Sequence, residues 1–230
     1  VGSLMALLGV VFLYFVTPPD TRPDSFLAKV IPEIPWFAAI LLTLLIGTAI
    51  GAFQGFLVGK LKLQAFIVTL CGLLSYRGLA RFSADDTSIN ISDSSQNLEF
   101  LRFLGEGSLS DVLSNGNGSG FLHSVPMSFI YLICFAIFFG VLLHKSVFGR
   151  YIFAAGRNEL ATKYSGINTN IVIACAYVIA GFCTAFAAIP FCIYTGSVQP
   201  ATHGAFFELY AIAAAVLGGC SLRGGEGSII

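Results

Sequence analysis

Apolar residues fall into six runs along the chain, at 4–16, 36–59, 63–82, 126–144, 171–194 and 207–222, with polar stretches between them. Crossing about 30 Å of hydrocarbon takes roughly 20 helical residues. The four middle runs are long enough for that; 4–16 is too short. The last run is interrupted by Gly218-Gly219 and followed by Gly224-Gly225 and Gly227. It reads as a broken or re-entrant helix, a form tolerated at membrane depth only where protein buries it or water lines it. The pattern predicts an all-α fold, a polytopic integral membrane helix bundle with a broken helix near its C-terminal end. Residues 1–230 form a single, partial membrane domain in this reading. The chain opens on Val1 and closes on Ser228-Ile229-Ile230 as another apolar run begins, so we expect a fragment cut inside membrane segments at both ends.

Composition agrees. Hydrophobic residues make up 56% of the chain and charged residues 10%, with mean hydropathy +0.85. A soluble domain carries about a quarter charged residues. Lys+Arg and Asp+Glu number 12 each, so no basic field points to nucleic acid. The charges are nevertheless sorted. Lys60, Lys62, Lys145, Arg150, Arg157 and Lys163 lie in two turns whose one acid is Glu159. The loops 17–35 and 83–125 hold nine acids against Arg22, Lys29 and Arg102. Positive-inside bias places the first pair of turns in the cytoplasm and the acidic loops outside.

Within the runs, Gly47, Gly51, Gly55 and Gly59 recur every fourth residue and form one smooth helical ridge for close packing. Static packing is the expected role and a sliding surface the alternative; the spacing alone does not separate them. Arg77, Glu208 and Arg223 are the few charges in or near apolar runs, where ionisable groups are expensive. Glu208 also suits the first turn of a helix, where the dipole favours an anion. The six cysteines sit singly in apolar surroundings and the three histidines are scattered, so no metal site is expected.

The stretch 145–170 is the most informative. Asn158 is a good N-cap, Glu159 opens the first turn, and Ser165-Gly166 closes it. The implied helix, 159–165, is too short to stand alone and needs a docking surface. Leu160, Tyr164 and Ile167, at i, i+4 and i+7, offer it one apolar face. That face packs either on its own bundle or into a cytoplasmic partner. The chain carries no GxxxxGK[ST], HExxH or GxSxG motif, so no energy source and no catalytic residue is predicted on it.

Gly149-Arg150-Tyr151-Ile152-Phe153-Ala154-Ala155-Gly156, Asn158-Glu159, Ala161-Thr162 and Ser165-Gly166-Ile167-Asn168 together resemble the cytoplasmic signature of ribose-type ABC transporter permeases. Gln64-Ala65-Phe66-Ile67-Val68-Thr69-Leu70, the segment 208–219, and Ser221-Leu222 with the glycines after it add to the resemblance. It spans essentially the whole chain and departs at Tyr210, Arg223 and Glu226, where the family often has Asp, a small residue and a basic residue. The resemblance implies a multi-pass permease of the bacterial plasma (inner) membrane. Its implied partners are a cytoplasmic ABC ATPase, a periplasmic or extracellular sugar-binding protein, a second permease copy and lipid. No cofactor is expected on this chain, since ATP and magnesium would sit on the ATPase. Gly149–Asn168 would supply the coupling helix that seats in that ATPase.

The implied function is inward transport of a monosaccharide, with Gln64, Phe66, Thr69, Gln199 and Glu208 as candidates along the substrate path. Amide and aromatic side chains suit a ligand that presents hydroxyls and apolar faces. Rival readings are a permease of the same superfamily for branched-chain amino acids or nucleosides, an ion-driven carrier or channel, and a non-transporting membrane scaffold. Scarce mid-membrane charge argues against the carrier.

Overall fold

The computed structural model describes residues 1–18, 34–91, 105, 107, 126–221, 224, 225 and 227. The expected outer loops 17–35 and 83–125, with Arg223 and Glu226, lie largely or wholly outside them. Among the described residues eight helices follow one another: α1 (Gly2–Val16), α2 (Trp36–Gly59), α3 (Ala65–Ser83), α4 (Met127–Lys145), α5 (Val147–Arg157), α6 (Glu159–Tyr164), α7 (Thr169–Thr195) and α8 (Phe207–Leu217). The α2 bounds coincide with the predicted run. Those of α3, α4 and α7 differ from it by one to two residues, the ordinary fraying of helix ends. Among the described residues four helices, α2, α3, α4 and α7, are long and apolar enough to cross a membrane.

Helix α5 and a short strand pair were not predicted. β1 (Ile89–Asn90) pairs antiparallel with β2 (Ser197–Val198), Ile89 opposite Val198. This two-residue ladder ties the exit of α3 to the exit of α7 and marks one end of the bundle, hereafter the hairpin end. The opposite, basic end carries the α2–α3 turn with Lys60 and Lys62, and α5 and α6.

α1 is the centre. Thirteen of its 15 residues are buried, among them Leu8, Phe12, Leu13 and Tyr14. A helix that is apolar all round must be covered on every side, and α2, α3 and α7 cover it. The Tyr14 hydroxyl donates to the Ser83 carbonyl at 3.0 Å, fixing the hairpin ends of α1 and α3 together.

The seam between α2 and α7 is the tightest contact. The buried residues of α2 are Ala39, Thr43, Gly47, Gly51, Gly55 and Gly59, one every fourth position. They run antiparallel along α7, with Gly47 against Gly181 and Ala185, Gly51 against Tyr177, Gly55 against Ala174 and Gly59 against Asn170. A β-carbon at Gly51 would lie 2.5 Å from the Tyr177 carbonyl oxygen, so any larger residue forces the backbones apart. Gly181 and Ala185 of α7 are the other half of this ridge. On the far side of α2, Phe37, Leu41, Leu45 and Phe53 are exposed, and α4 has no buried residue. Large apolar side chains face outward over whole helices, an arrangement that hydrocarbon accommodates and water does not.

Candidate functional site

Two places bring the sequence-predicted residues together: the α5–α6 turn at the basic end and the junction where α8 begins.

At the basic end, Ser146 caps α5 by accepting the Gly149 N–H at 3.0 Å. Gly149 has no room for a side chain, since a β-carbon would collide with the Leu143 carbonyl. α5 can therefore fold back sharply on the end of α4. Asn158 ends α5 and caps α6, its Oδ1 accepting from the Ala161 N–H at 3.0 Å. The predicted cap is thus present. α6 itself is one residue shorter than expected. It stops at Tyr164, with Ser165 as the C-cap residue and Gly166 at φ +85°, a conformation glycine adopts without strain.

Because α6 is so short, Ile167 falls beyond it. Its N–H returns to the Thr162 carbonyl at 3.3 Å and its side chain is half-buried, so it does not extend the Leu160–Tyr164 face. Thr162 is the buried residue of α6 and donates to the Asn158 carbonyl at 2.8 Å. Glu159 accepts from the Thr169 hydroxyl at 3.3 Å, tying α6 to the start of α7. Leu160 and Tyr164 point away from all of this, 68% and 89% exposed. Among the described residues, their face does not pack on the bundle. Arg150 and Tyr151 are exposed on α5. Gly156 lies against the glycine-rich tail, where a β-carbon would come within 2.5 Å of the Gly225 nitrogen.

The second place is the connector 199–206. Gly9 of α1 lies beside Cys192, Val198 and His203, whereas Gly2 lies against Gly204 and donates its N–H to Glu208 at 3.1 Å. Seven helical residues separate Gly9 from Gly2, about 10 Å of rise. The connector therefore descends that far into the bundle before α8 starts. α8 has 11 residues, about 16 Å, and cannot span a membrane alone. It ends at Gly218, with Gly219 at φ +88°.

A broken helix was expected over 207–222. The helix is 207–217, and its main break precedes it. The glycine pairs that advertise a break end the helix; the preceding break carries Gly204 at φ +63° and Phe206, a non-glycine residue, at φ +65°. Glu208 occupies the first turn of α8, as the sequence suggested.

The path candidates do not converge. Gln64 is exposed at the N-cap of α3, Phe66 is exposed, and the Thr69 hydroxyl donates to the Ala65 and Phe66 carbonyls, all in the first turns of α3. Gln199 is exposed and accepts from the Thr202 hydroxyl at 3.0 Å. Between these groups stands Arg77, whose role was not read from the sequence. Its Nη1 donates to the carbonyls of Pro200, Ala201 and His203 at 3.2, 3.2 and 2.8 Å. Its position inside an apolar run was the signal available. An apolar cleft of about 440 Å³ between α4 and α7, lined by Tyr131, Phe135, Phe186 and Pro190, offers few polar groups. Among the described residues, no three metal-ligating side chains cluster.

Comparison with known proteins matches all of residues 1–230 to the family described as branched-chain amino acid transport system / permease component. The ribose import permease protein RbsC of Haemophilus influenzae is 34% identical over 231 residues, covering 100% of this chain and 62% of that protein. RbsC of Escherichia coli K12 is 34% identical over 230 residues, with 63% of that protein covered. The fructose import permease protein FruF of Bifidobacterium longum is 32% identical over 193 residues, which is 83% of this chain and 50% of that protein. The chain spans about three-fifths of the length of the RbsC relatives. No solved structure matches it.

Proposed function

Because the chain belongs to the branched-chain amino acid transport system / permease component family, we propose that it is the membrane-spanning permease of an ATP-binding cassette importer for a monosaccharide. ATP hydrolysis on a separate subunit supplies the work, entering through α6. The permease sits in the bacterial inner membrane with the basic end in the cytoplasm. A sugar-binding protein docks at the hairpin end, and a second permease copy completes the pore.

One observation carries this reading: Leu160 and Tyr164 are exposed on a helix that caps and internal hydrogen bonds hold rigid. Two large apolar groups pre-positioned outside the bundle suit a partner's groove, where buried aromatic anchors carry most binding energy. α5 joins the same short turn to α4 and α6 joins it to α7, so a pull on α6 reaches two membrane helices. The sugar assignment leans on the ribose and fructose permeases among the relatives.

The test uses the full-length protein with its ATPase and binding protein in proteoliposomes. Tyr164→Asp is expected to lower sugar-stimulated ATP hydrolysis about tenfold or more, the effect of losing one anchor, with the permease still inserted. Undiminished stimulation would sink the coupling role. Competition of labelled ribose uptake by unlabelled fructose, leucine or a nucleoside separates the sugar reading from its relatives within the superfamily.

A further inference from the structure

Backbone accounting in the connector singles out Arg77. Between 199 and 204 the connector's own turns use the carbonyls of Gln199, Thr202 and Gly204, which accept from the N–H groups of Thr202 and His203, of Ala205, and of Phe207. The carbonyls left over are those of Pro200, Ala201 and His203, and the Arg77 guanidinium takes all three. Buried carbonyls without partners are costly, the more so where no water can replace the bond. Pro200, His203 and Gly204 are buried, with His203 also against Cys192 and Phe191, and Arg77 is the one side chain that bonds this segment's leftover carbonyls.

The need is mutual. Arg77 lies six residues before the end of α3, about 9 Å inside the hairpin end. Among the described residues no carboxylate stands within 4 Å of it; the ion pair there belongs to Arg81 and Asp86. Arg77 is thus a cation held by neutral carbonyl dipoles, in a helix where ionisable groups are expensive. Connector and guanidinium satisfy each other only while the connector is seated.

We propose that Arg77 is the positioning residue of the broken helix: it fixes the connector, and with it the depth at which α8 begins, against α3, so that α3 and the start of α8 move as one body. The transport half of this statement rests on the importer reading above; the structural half does not.

The experiment places a cysteine at Ala205, half-buried in the connector, in the full-length protein in membranes, and follows its reaction with a membrane-impermeant maleimide. Arg77→Gln is expected to speed labelling about tenfold or more, as the loss of one charged hydrogen bond would. Arg77→Lys keeps the charge but presents it at one point, and is expected to speed labelling at least about twofold. Equal rates in wild type and Arg77→Gln would overturn the latch, whatever the protein carries. If Arg77→Gln fails to insert, Arg77→Lys decides, and an unchanged rate there overturns the proposal. In proteoliposomes with the partners, the maximal uptake rate should fall while the half-saturating sugar concentration stays fixed. Faster labelling with uptake unchanged would overturn the transport role alone.

Discussion

The α2–α7 seam and the connector with α8 solve opposite problems. In the seam, backbone touches backbone from Gly47 to Gly59 of α2, and the buried stripe has no large side chain and no charge. In the connector, three carbonyls of a short non-helical segment share one guanidinium, and α8 beyond it is exposed on every residue from 209 to 217. Van der Waals contact spread over six positions cannot be released piecemeal; three hydrogen bonds to one side chain can. The bundle thus contains a welded half and a hinged half.

The largest expected effect lies in the welded half. Gly51→Leu should destabilise the protein by about 3 kcal/mol or more, since the first added carbon already meets a backbone oxygen that cannot rotate away. Unfolding in mixed micelles measures it. Gly78, in α3 with nothing within 4 Å of a β-carbon, is the internal control. Gly78→Ala should gain up to about 1 kcal/mol from helix propensity. Equal costs at the two glycines would erase the claimed contrast between tight and open packing.

Much of the welded half could be read before any coordinates. Hydrophobic run length specifies α2, α3, α4 and α7, and the fourfold glycine spacing names the ridge because helical geometry puts every fourth residue on one face. The cap of α6 was equally plain, since Asn158 and Gly166 act on neighbours three residues away. The hinged half was harder. Its break precedes α8, where the sequence Gln199-Pro200-Ala201-Thr202-His203-Gly204 is locally indistinct, and the obvious glycine pairs merely terminate the helix. Arg77 was visible as a charge in an apolar run, yet its partners are backbone carbonyls more than 120 residues away, and backbone carbonyls have no sequence signature.

A smaller effect probes the connector from inside. Phe206 sits at φ +65°, where a side chain with branching at the β-carbon is most penalised. Phe206→Val should cost about 1 kcal/mol more than Phe206→Gly, read as faster hydrogen exchange at the amides of Ala205 and Phe207. Equal exchange in the two variants would mean that the turn relaxes at no cost, and the connector would then be softer than its hydrogen bonds imply.

The smallest expected effect comes one turn further along α3, where a second arginine supplies the counterexample to Arg77. Arg81 donates from Nε and Nη2 to the two oxygens of Asp86, at 2.9 and 2.6 Å, in the last turn of α3 and in the open. Those hydrogen bonds, foremost, hold the Asp86 carboxyl below its ordinary value of 3.8. A depressed carboxylate contributes stability above that ordinary value and loses it as pH falls through the lowered one. Exposure and solvent screening keep the contribution slight. Asp86→Asn should therefore leave stability nearly unchanged at pH 7. It should also remove a shallow acid-side loss below about pH 4 that wild type shows in low salt and not in high salt. Arg77 bonds to neutral carbonyls, so the maleimide rate at Ala205 should be indifferent to that same change in salt. A salt-dependent rate there would mean that the connector is held by charge pairing after all, and the distinction between the two arginines of α3 would dissolve.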